Sequence, residues 1–392
     1  MAQTTPSSDR SGSRILTNIL VIIIVAAIAG VLVWTLKPTP EPVPGPSAPS
    51  FGFDKESDKL QVGFVLVGPT SDWGFNYQHN QGRLAMEARL RHKVHTVVAE
   101  NIPETAEAER IMQRMIDEGA ELIYATSYGY LESALRVAEK NPSVTFMHCL
   151  GGKQATNLGT YGSNMWEVAY VAGVAAAMTS KENTQFGFVT SHPIPPVLWI
   201  INAFALGAQS VNKDITVDTI FTNSWYNPAA ETEAVNGLVS KGIGLVYILV
   251  DSGIAGVQAS ERAGIYSLSQ HADLSSFAPK GWITGSVWGW TNLYENVTRS
   301  VIDKTWKSGH ISGGLKEGYA ELAPFGPAVS GEAQQRAREL SAKIAARELE
   351  VFAGPIYDTN GTERVPAGES LPVDQVLSMD WGVQGVRGLP NR

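Results

Sequence analysis

The chain has 392 residues, 44% hydrophobic and 17% charged, with a formal net charge of −8 and one cysteine, Cys149. That composition excludes a disordered protein, a disulfide scaffold and a polytopic membrane protein, and the length allows two sizeable lobes, each with its own core. An acidic chain without Lys/Arg blocks offers phosphates no electrostatic footprint, and the seven scattered His include no HExxH, so neither nucleic acid nor a metal is expected as a partner.

Residues 15–36, ILTNILVIIIVAAIAGVLVWTL, form an apolar stretch interrupted only by Thr17, Asn18, Gly30 and Thr35. As a helix it would be ~33 Å long, enough to span a bilayer. Arg10 and Arg14 precede it, so residues 1–14 are expected in the cytoplasm, 15–36 as a single-pass membrane anchor, and everything beyond on the extracytoplasmic side. A cleaved signal peptide is the competing reading, but the apolar region is long for one and lacks an A-x-A site. Residues 37–58, which open with KPTPEPVPGPSAPS, read as a stiff Pro-rich linker.

From there the chain alternates strand-like and helix-like segments. Residues 60–68, LQVGFVLVG, are a Val-rich run ending in Gly-Pro, as in a buried parallel strand. The loop SDWGFN follows, then the helical YQHNQGRLAMEARLR, the strand HKVHTVVAEN, and the helix PETAEAERIMQRMIDEG with Gly119 at its end. AELIYATS, YLESALRVAEKNP and SVTFMHC continue the series as strand, helix and strand. After a crossing segment near residues 159–165 and the helix EVAYVAGVAAAM the pattern restarts. TQFGFVTS, ITVDTIFTNS, IGLVYILVDS, AGIYSLSQ and GWITGSVW are the strand candidates, separated by helices such as PVLWIINAFALGAQSV and PAAETEAVNGLVSKG. This is an α/β chain of two doubly wound lobes. The predicted solute-binding body covers 59–384, with lobe 1 at about 59–162 plus a later crossover segment and lobe 2 at about 163–290.

In such sheets ligands bind beyond the carboxyl ends of the strands, and two facing lobes make a cleft that can close. The loops at those ends are aromatic: Trp73, Phe75, Tyr128, Trp225, Tyr226 and Trp288. Loops ordinarily favour small polar residues, so large rings at equivalent positions point to a flat apolar ligand held by stacking, although rings can also simply pack beneath loops. Asp72, Asn76, Asn223, Asp251 and Asp273 could read the ligand's edges. For Asp251 a helix-capping role is equally consistent with the sequence.

The order of these motifs resembles the basic membrane protein family of solute-binding proteins, purine-nucleoside-binding components of ABC importers with a type I periplasmic-binding fold. The resemblance rests on Ser71-Asp72-Trp73-Gly74-Phe75-Asn76 with Gln81-Gly82, on Ala125-Thr126-Ser127-Tyr128-Gly129-Tyr130, on EVAYVAGVA, on the run from Ala203 to Ala208, on Asn223-Ser224-Trp225-Tyr226-Asn227-Pro228, and on the strand ending at Asp251. It implies two lobes around a ligand cleft, a purine ligand, an ABC permease as partner, and no cofactor. The chain departs from the pattern in two places. There is no lipobox cysteine, so the apolar helix would replace the lipid. Where nucleoside-binding members carry Gly-Val-Asp-x-Asp-Gln and a later Lys, this chain has Ser269-Gln270-His271-Ala272-Asp273-Leu274 and Val287-Trp288-Gly289-Trp290. With His271 and tryptophans in place of the charged ribose partners, the pattern resembles the base-binding branch, as does the C-terminal FAGPIYDTNGTERVPAGESL with its Asn360-Gly361 hairpin signal.

Two other classes share parts of this pattern. An α/β hydrolase would use Ser127 as nucleophile with His148, His192 or His271 as base, but Ala125 stands where the nucleophile elbow has Gly and no oxyanion motif appears. A hydroxyl capping the next helix explains Ser127 as well. An anchored sensor would share the binding fold. The expected protein is therefore an extracytoplasmic importer subunit, not an enzyme, that works as a monomer on a purine nucleobase or nucleoside.

Overall fold

In the computed structural model, which describes residues 50–390, the first Val-rich run becomes β1 (Leu60–Val65), buried at every position after Leu60 as befits a central parallel strand covered on both faces. Beside it lie β2 (Val94–Ala99), β3 (Leu122–Ala125), β4 (Thr145–Cys149) and β5 (Leu158–Tyr161) in the spatial order 2-1-3-4-5, all parallel. Helices α1 (Phe75–Leu90), α2 (Ala106–Glu118) and α3 (Leu131–Lys140) make the crossovers of this lobe 1. Lobe 2 repeats the plan. Strands β6 (Gln185–Thr190), β7 (Thr216–Phe221), β8 (Leu245–Leu249), β9 (Tyr266–His271) and β10 (Trp282–Trp288) are parallel in the order 7-6-8-9-10, with α4 (Met165–Thr179), α5 (Pro195–Val211), α6 (Pro228–Ser240) and α7 (Ile254–Ala263).

The strands expected from sequence are present in both lobes, and one element was missed. The segment read as a crossing contains β5, whose LGTY has too few aliphatic residues to announce a strand. The chain then crosses between lobes three times: between β5 and α4, between β10 and α8 (Trp290–Ile302), and between β11 (His310–Ile311), which pairs with β5, and β12 (Ala320–Leu322), which pairs antiparallel with β10. Helix α8 packs on α1, on the side of lobe 1. Lobe 2 continues past residue 290 through α9 (Gly331–Ala345), which lies against α4. Its Asn360-Gly361 turn joins β13 (Ile356–Tyr357) to β14 (Glu363–Val365), as the dipeptide predicts. Its last strand, β15 (Val386–Arg387), pairs with β7 just beyond the predicted boundary at 384.

Phe51 and Phe53, placed in the linker by sequence, pack against the lobe 1 core beside Met112 and Met115, and the Phe51 N–H donates to Glu118 Oε2 at 2.6 Å. Among the described residues no helix is long and apolar enough to cross a membrane. The predicted anchor at 15–36 and most of the linker lie outside them.

Two features fix the lobes internally and at their junction. In lobe 2, α4 and α5 meet where a Cβ on Gly173 would sit 2.2 Å from the Phe204 carbonyl oxygen and one on Gly207 would sit 2.0 Å from that of Tyr170. The small residues of EVAYVAGVA and of the 203–208 run thus permit backbone contact between two buried helices. At the first crossing Glu167, 2% exposed, accepts from the Leu315 N–H and Arg347 Nη1 at 2.8 Å each and from Asn164 Nδ2 at 3.2 Å. Its carboxylate therefore ties the first and third crossings to the end of α9.

Candidate functional site

The carboxyl ends of both sheets face a cavity lined by residues of both lobes. Lobe 1 contributes Val67, Phe75, Ser127, Tyr128 and Leu150. Lobe 2 contributes more: the start of α5, with Pro196, Val197, Trp199 and Ile200, and the strand-end residues Trp225, Leu249, Asp251, His271 and Trp288. The wall is thus largely aromatic and aliphatic, with Asp251, His271, Ser127 and Tyr128 adding polar side chains beside the indole N–H groups of its tryptophans. A second cavity adjoins it on the side of the crossings, sharing Tyr128, Leu150, Pro196 and Trp199. That space has Ser163, Asn164, His310 and Ser312 on its walls.

The lobes meet at the start of α1. Asp72 holds this helix end. Its Oδ1 accepts from the Gly74 and Tyr77 N–H groups at 2.8 Å each, and its Oδ2 accepts from the Asn76 N–H at 3.0 Å and from Asn76 Nδ2 at 2.8 Å. Four donors saturate the carboxylate and satisfy N–H groups that the helix leaves without partners. The Phe75 N–H donates instead across the cleft, to the Asp251 carbonyl oxygen at 2.9 Å. Gly74 lies so close to that carbonyl that a Cβ would fall 1.6 Å from its oxygen.

Of the twelve residues singled out by sequence, six line the cavity together: Phe75, Tyr128, Trp225, Asp251, His271 and Trp288. The other six stand elsewhere. Asp72 and Asn76 are buried in the α1 cap, where Asn76 Oδ1 also accepts from the Gly68 N–H at 3.1 Å. Trp73 is 44% exposed, stacked on Tyr77 and edge-on to Phe277 of lobe 2. Tyr226 is 61% exposed, Asn223 is exposed, and Asp273 is an exposed turn former that accepts from the Ser275 N–H at 3.0 Å. Asp251 does not cap the helix after it, whose N-cap is Gly253 without a side-chain bond. Ser127 does not cap either: its hydroxyl donates to Glu104 Oε1 at 2.5 Å. Both ring nitrogens of His148 lack partners, so no Ser127–His148 pair forms.

Sequence reading missed the α5 face of the site. Trp199 lies in a uniformly apolar helix, PVLWIINAFALG, where nothing distinguishes a cleft residue from a core residue. The available signal was the Pro pair before it, which starts α5 at the strand end.

Charge around the site has one sign. Burial pushes the Asp251 carboxyl well above the usual range, and Asp72, Glu104 and Glu231 add to the shift. Burial likewise raises Asp72 despite its donors. Burial lowers the His271 imidazole to about 3, so that ring is neutral at physiological pH. Glu231 is raised to about 7 by burial, against one bond from the Asn227 N–H. A carboxyl whose folded pKa exceeds its unfolded value holds its proton longer in the folded state, so stability falls as pH rises from the ordinary carboxylate range to about 7 and is flat above it. Glu231→Gln keeps the acceptor for Asn227 and removes the ionisation. Urea unfolding should find the variant equal to the parent at pH 4 and more stable by about 1–3 kcal/mol at pH 8. Parallel pH profiles would contradict this.

Behind the cavity a row of rings runs from lobe 2 into lobe 1. His271 and Trp288 are nearly coplanar, with centroids 5.9 Å apart at 13°. Trp288 stacks on Trp290 at 4.7 Å and 12°, and Trp290 stacks on His79 at 4.9 Å and 10°. His79 Nδ1 in turn meets the Tyr294 hydroxyl, which is 3.1 Å from that of Tyr161.

Residues 59–353 match the family described as ABC transporter substrate-binding protein PnrA-like. A purine-binding protein of Brucella abortus is 39% identical over 329 residues, covering 84% of this chain and 93% of that protein. A putative ABC transporter glucose-binding protein of Haloferax volcanii is 29% identical over 312 residues, 80% of this chain and 79% of its own length. Among solved structures, an ABC transporter solute-binding protein from Aeropyrum pernix superposes with a TM-score of 0.64 at 18% identity, covering 78% of this chain and 94% of that one, a likeness in fold.

Proposed function

The chain belongs to the PnrA-like family of ABC transporter substrate-binding proteins, a family of binders rather than enzymes, and on that premise we propose that it captures a purine nucleobase outside the cell membrane and delivers it to an ABC permease. The observation that carries the ligand class is the cavity wall. Phe75, Trp199, Trp225 and Trp288 offer apolar faces to a flat ring, while Asp251 and His271 offer polar atoms to its edge. Stacking on an aromatic side chain contributes about 1–3 kcal/mol per base. No charged pair suited to ribose hydroxyls stands on that wall, since His271 and Trp288 occupy the strand ends where one would be placed.

In this reading the open cleft admits the base, the lobes close through the Gly74–Asp251 contact, and the permease recognises the closed form. Calorimetric titration of adenine, hypoxanthine, guanine and their nucleosides tests it. Free adenine or a similar base is expected to bind at least tenfold more tightly than its nucleoside, about 1.4 kcal/mol. The adjoining cavity with Ser163, Asn164 and His310 favours the second reading, in which a nucleoside places its sugar there. A clear preference for nucleosides would select that alternative, and binding of glucose with no purine binding would reject both.

We further propose that residues 15–36 anchor the protein, residues 1–14 facing the cytoplasm and the binding body, a monomer, facing outward. Full-length protein should then resist carbonate extraction. A soluble mature form starting near residue 40 would overturn the anchor.

A further inference from the structure

His271, on the cavity wall, holds a buried donor that the protein itself does not use. Trp288 Nε1 approaches His271 Nδ1 at 2.6 Å. An indole nitrogen can only donate, so Nδ1 is the acceptor in this bond, and a neutral imidazole accepting at Nδ1 carries its proton at Nε2. His271 is 95% buried, and Nε2 has no hydrogen-bond partner in the protein. The residue also holds a φ of 85°, in the sparsely populated left-handed region. Such strain persists where surrounding structure enforces it, and it collects at functional sites. Here Phe75 packs edge-on against both rings, at 5.4 Å from His271 and 6.2 Å from Trp288, so the coplanar pair is held between the lobes.

A buried N–H left without an acceptor is costly, and a bound ligand can remove that cost. We propose that His271 is a specificity-determining residue, its Nε2–H donating to an unprotonated ring nitrogen of the bound heteroaromatic, with Trp288 as the positioning residue that fixes the imidazole tautomer. The proposal rests on the purine reading above and deepens it. The ligand must present an acceptor to the β9–β10 side of the cleft, so an analogue in which that atom is a C–H is discriminated against however well its face stacks.

The test uses the full-length protein and deaza analogues of whichever purine base binds best. In adenine each of the 1-, 3- and 7-deaza forms replaces one ring nitrogen acceptor by C–H with little change in shape; in hypoxanthine and guanine N1 carries a proton, and the 3- and 7-deaza forms make the test. For an adenine-type ligand, one analogue should bind about 5- to 150-fold more weakly than its parent while the others stay close to it. That discrimination should disappear in His271→Phe, which keeps a ring and loses the N–H, and should persist in His271→Gln, which keeps a donor. Should the variants fold poorly, the wild-type series stands by itself together with a long-range 1H–15N correlation spectrum, in which the His271 proton is expected on Nε2. A proton on Nδ1, equal binding of all the analogues, or an unchanged penalty in His271→Phe would overturn the proposal while leaving purine capture intact. Failure of every purine base to bind would instead remove the reading on which it rests.

Discussion

Gly74→Val is expected to abolish ligand capture while leaving both lobes folded. The side chain would enter the space of the Asp251 carbonyl, from which even a Cβ would be only 1.6 Å distant, and that carbonyl is already engaged by the Phe75 N–H. Both contacts join lobe 1 to lobe 2, so the clash arises on closing, and the open form can relieve it by staying apart. Holding the cleft ajar costs every contact the ligand makes to the second lobe. An affinity loss of about 100-fold or more, about 2.7 kcal/mol, is expected by calorimetry, with unchanged far-UV circular dichroism. Small-angle scattering should show a radius of gyration that no longer shrinks on adding ligand. A variant that binds and contracts normally would show that closure does not pass through this contact.

Arg347→Ala should produce the largest loss of stability among the changes considered. It would leave the Glu167 carboxylate, 2% exposed, with the Leu315 N–H and Asn164 Nδ2 but no counter-charge. Breaking a buried pair from one side costs several kcal/mol. Because the Arg347 side chain is itself 41% exposed, the expected value is at the lower end, about 2–3 kcal/mol by chemical denaturation. Adding Glu167→Gln to that variant removes the stranded charge and should recover part of the loss, which a double-mutant cycle would resolve. A cost below about 0.5 kcal/mol would place the pair with ordinary surface ion pairs.

Much of this architecture is written in strand-sized aliphatic runs, because a parallel strand buried on both faces must be nearly continuous in Val, Ile and Leu. LQVGFV and LVYIL meet that condition and were legible; LGTY, which pairs with β4 and is equally buried, does not and was missed. The site was legible to the extent that topology dictates it. Residues at strand ends, such as Asp251 and His271, reached the cavity wall. Asp72 and Asn76 also follow a strand, but a helix begins there, and its unpartnered N–H groups claim short polar side chains more strongly than a cleft does. Trp73 and Tyr226 fell outside because an irregular loop imposes no fixed side-chain direction, and sequence does not say which ring turns inward. Trp199 was hidden for the opposite reason, since on α5 the cleft face and the core face carry the same chemistry. The tautomer of His271 depends on a neighbour 17 residues away and could be read only in three dimensions.

The stacked indoles of Trp288 and Trp290 flank the second crossing, with only Gly289 between them. Two such chromophores, 4.7 Å apart and nearly parallel, share their electronic excitation, and the coupling depends steeply on separation and mutual angle. One ring ends a strand of lobe 2 and the other opens a helix packed on lobe 1, so rotation of the lobes would change both. The protein therefore contains its own optical gauge: opening and closing of the cleft should register as a change in its near-ultraviolet circular dichroism, allowing capture to be followed in real time without a dye.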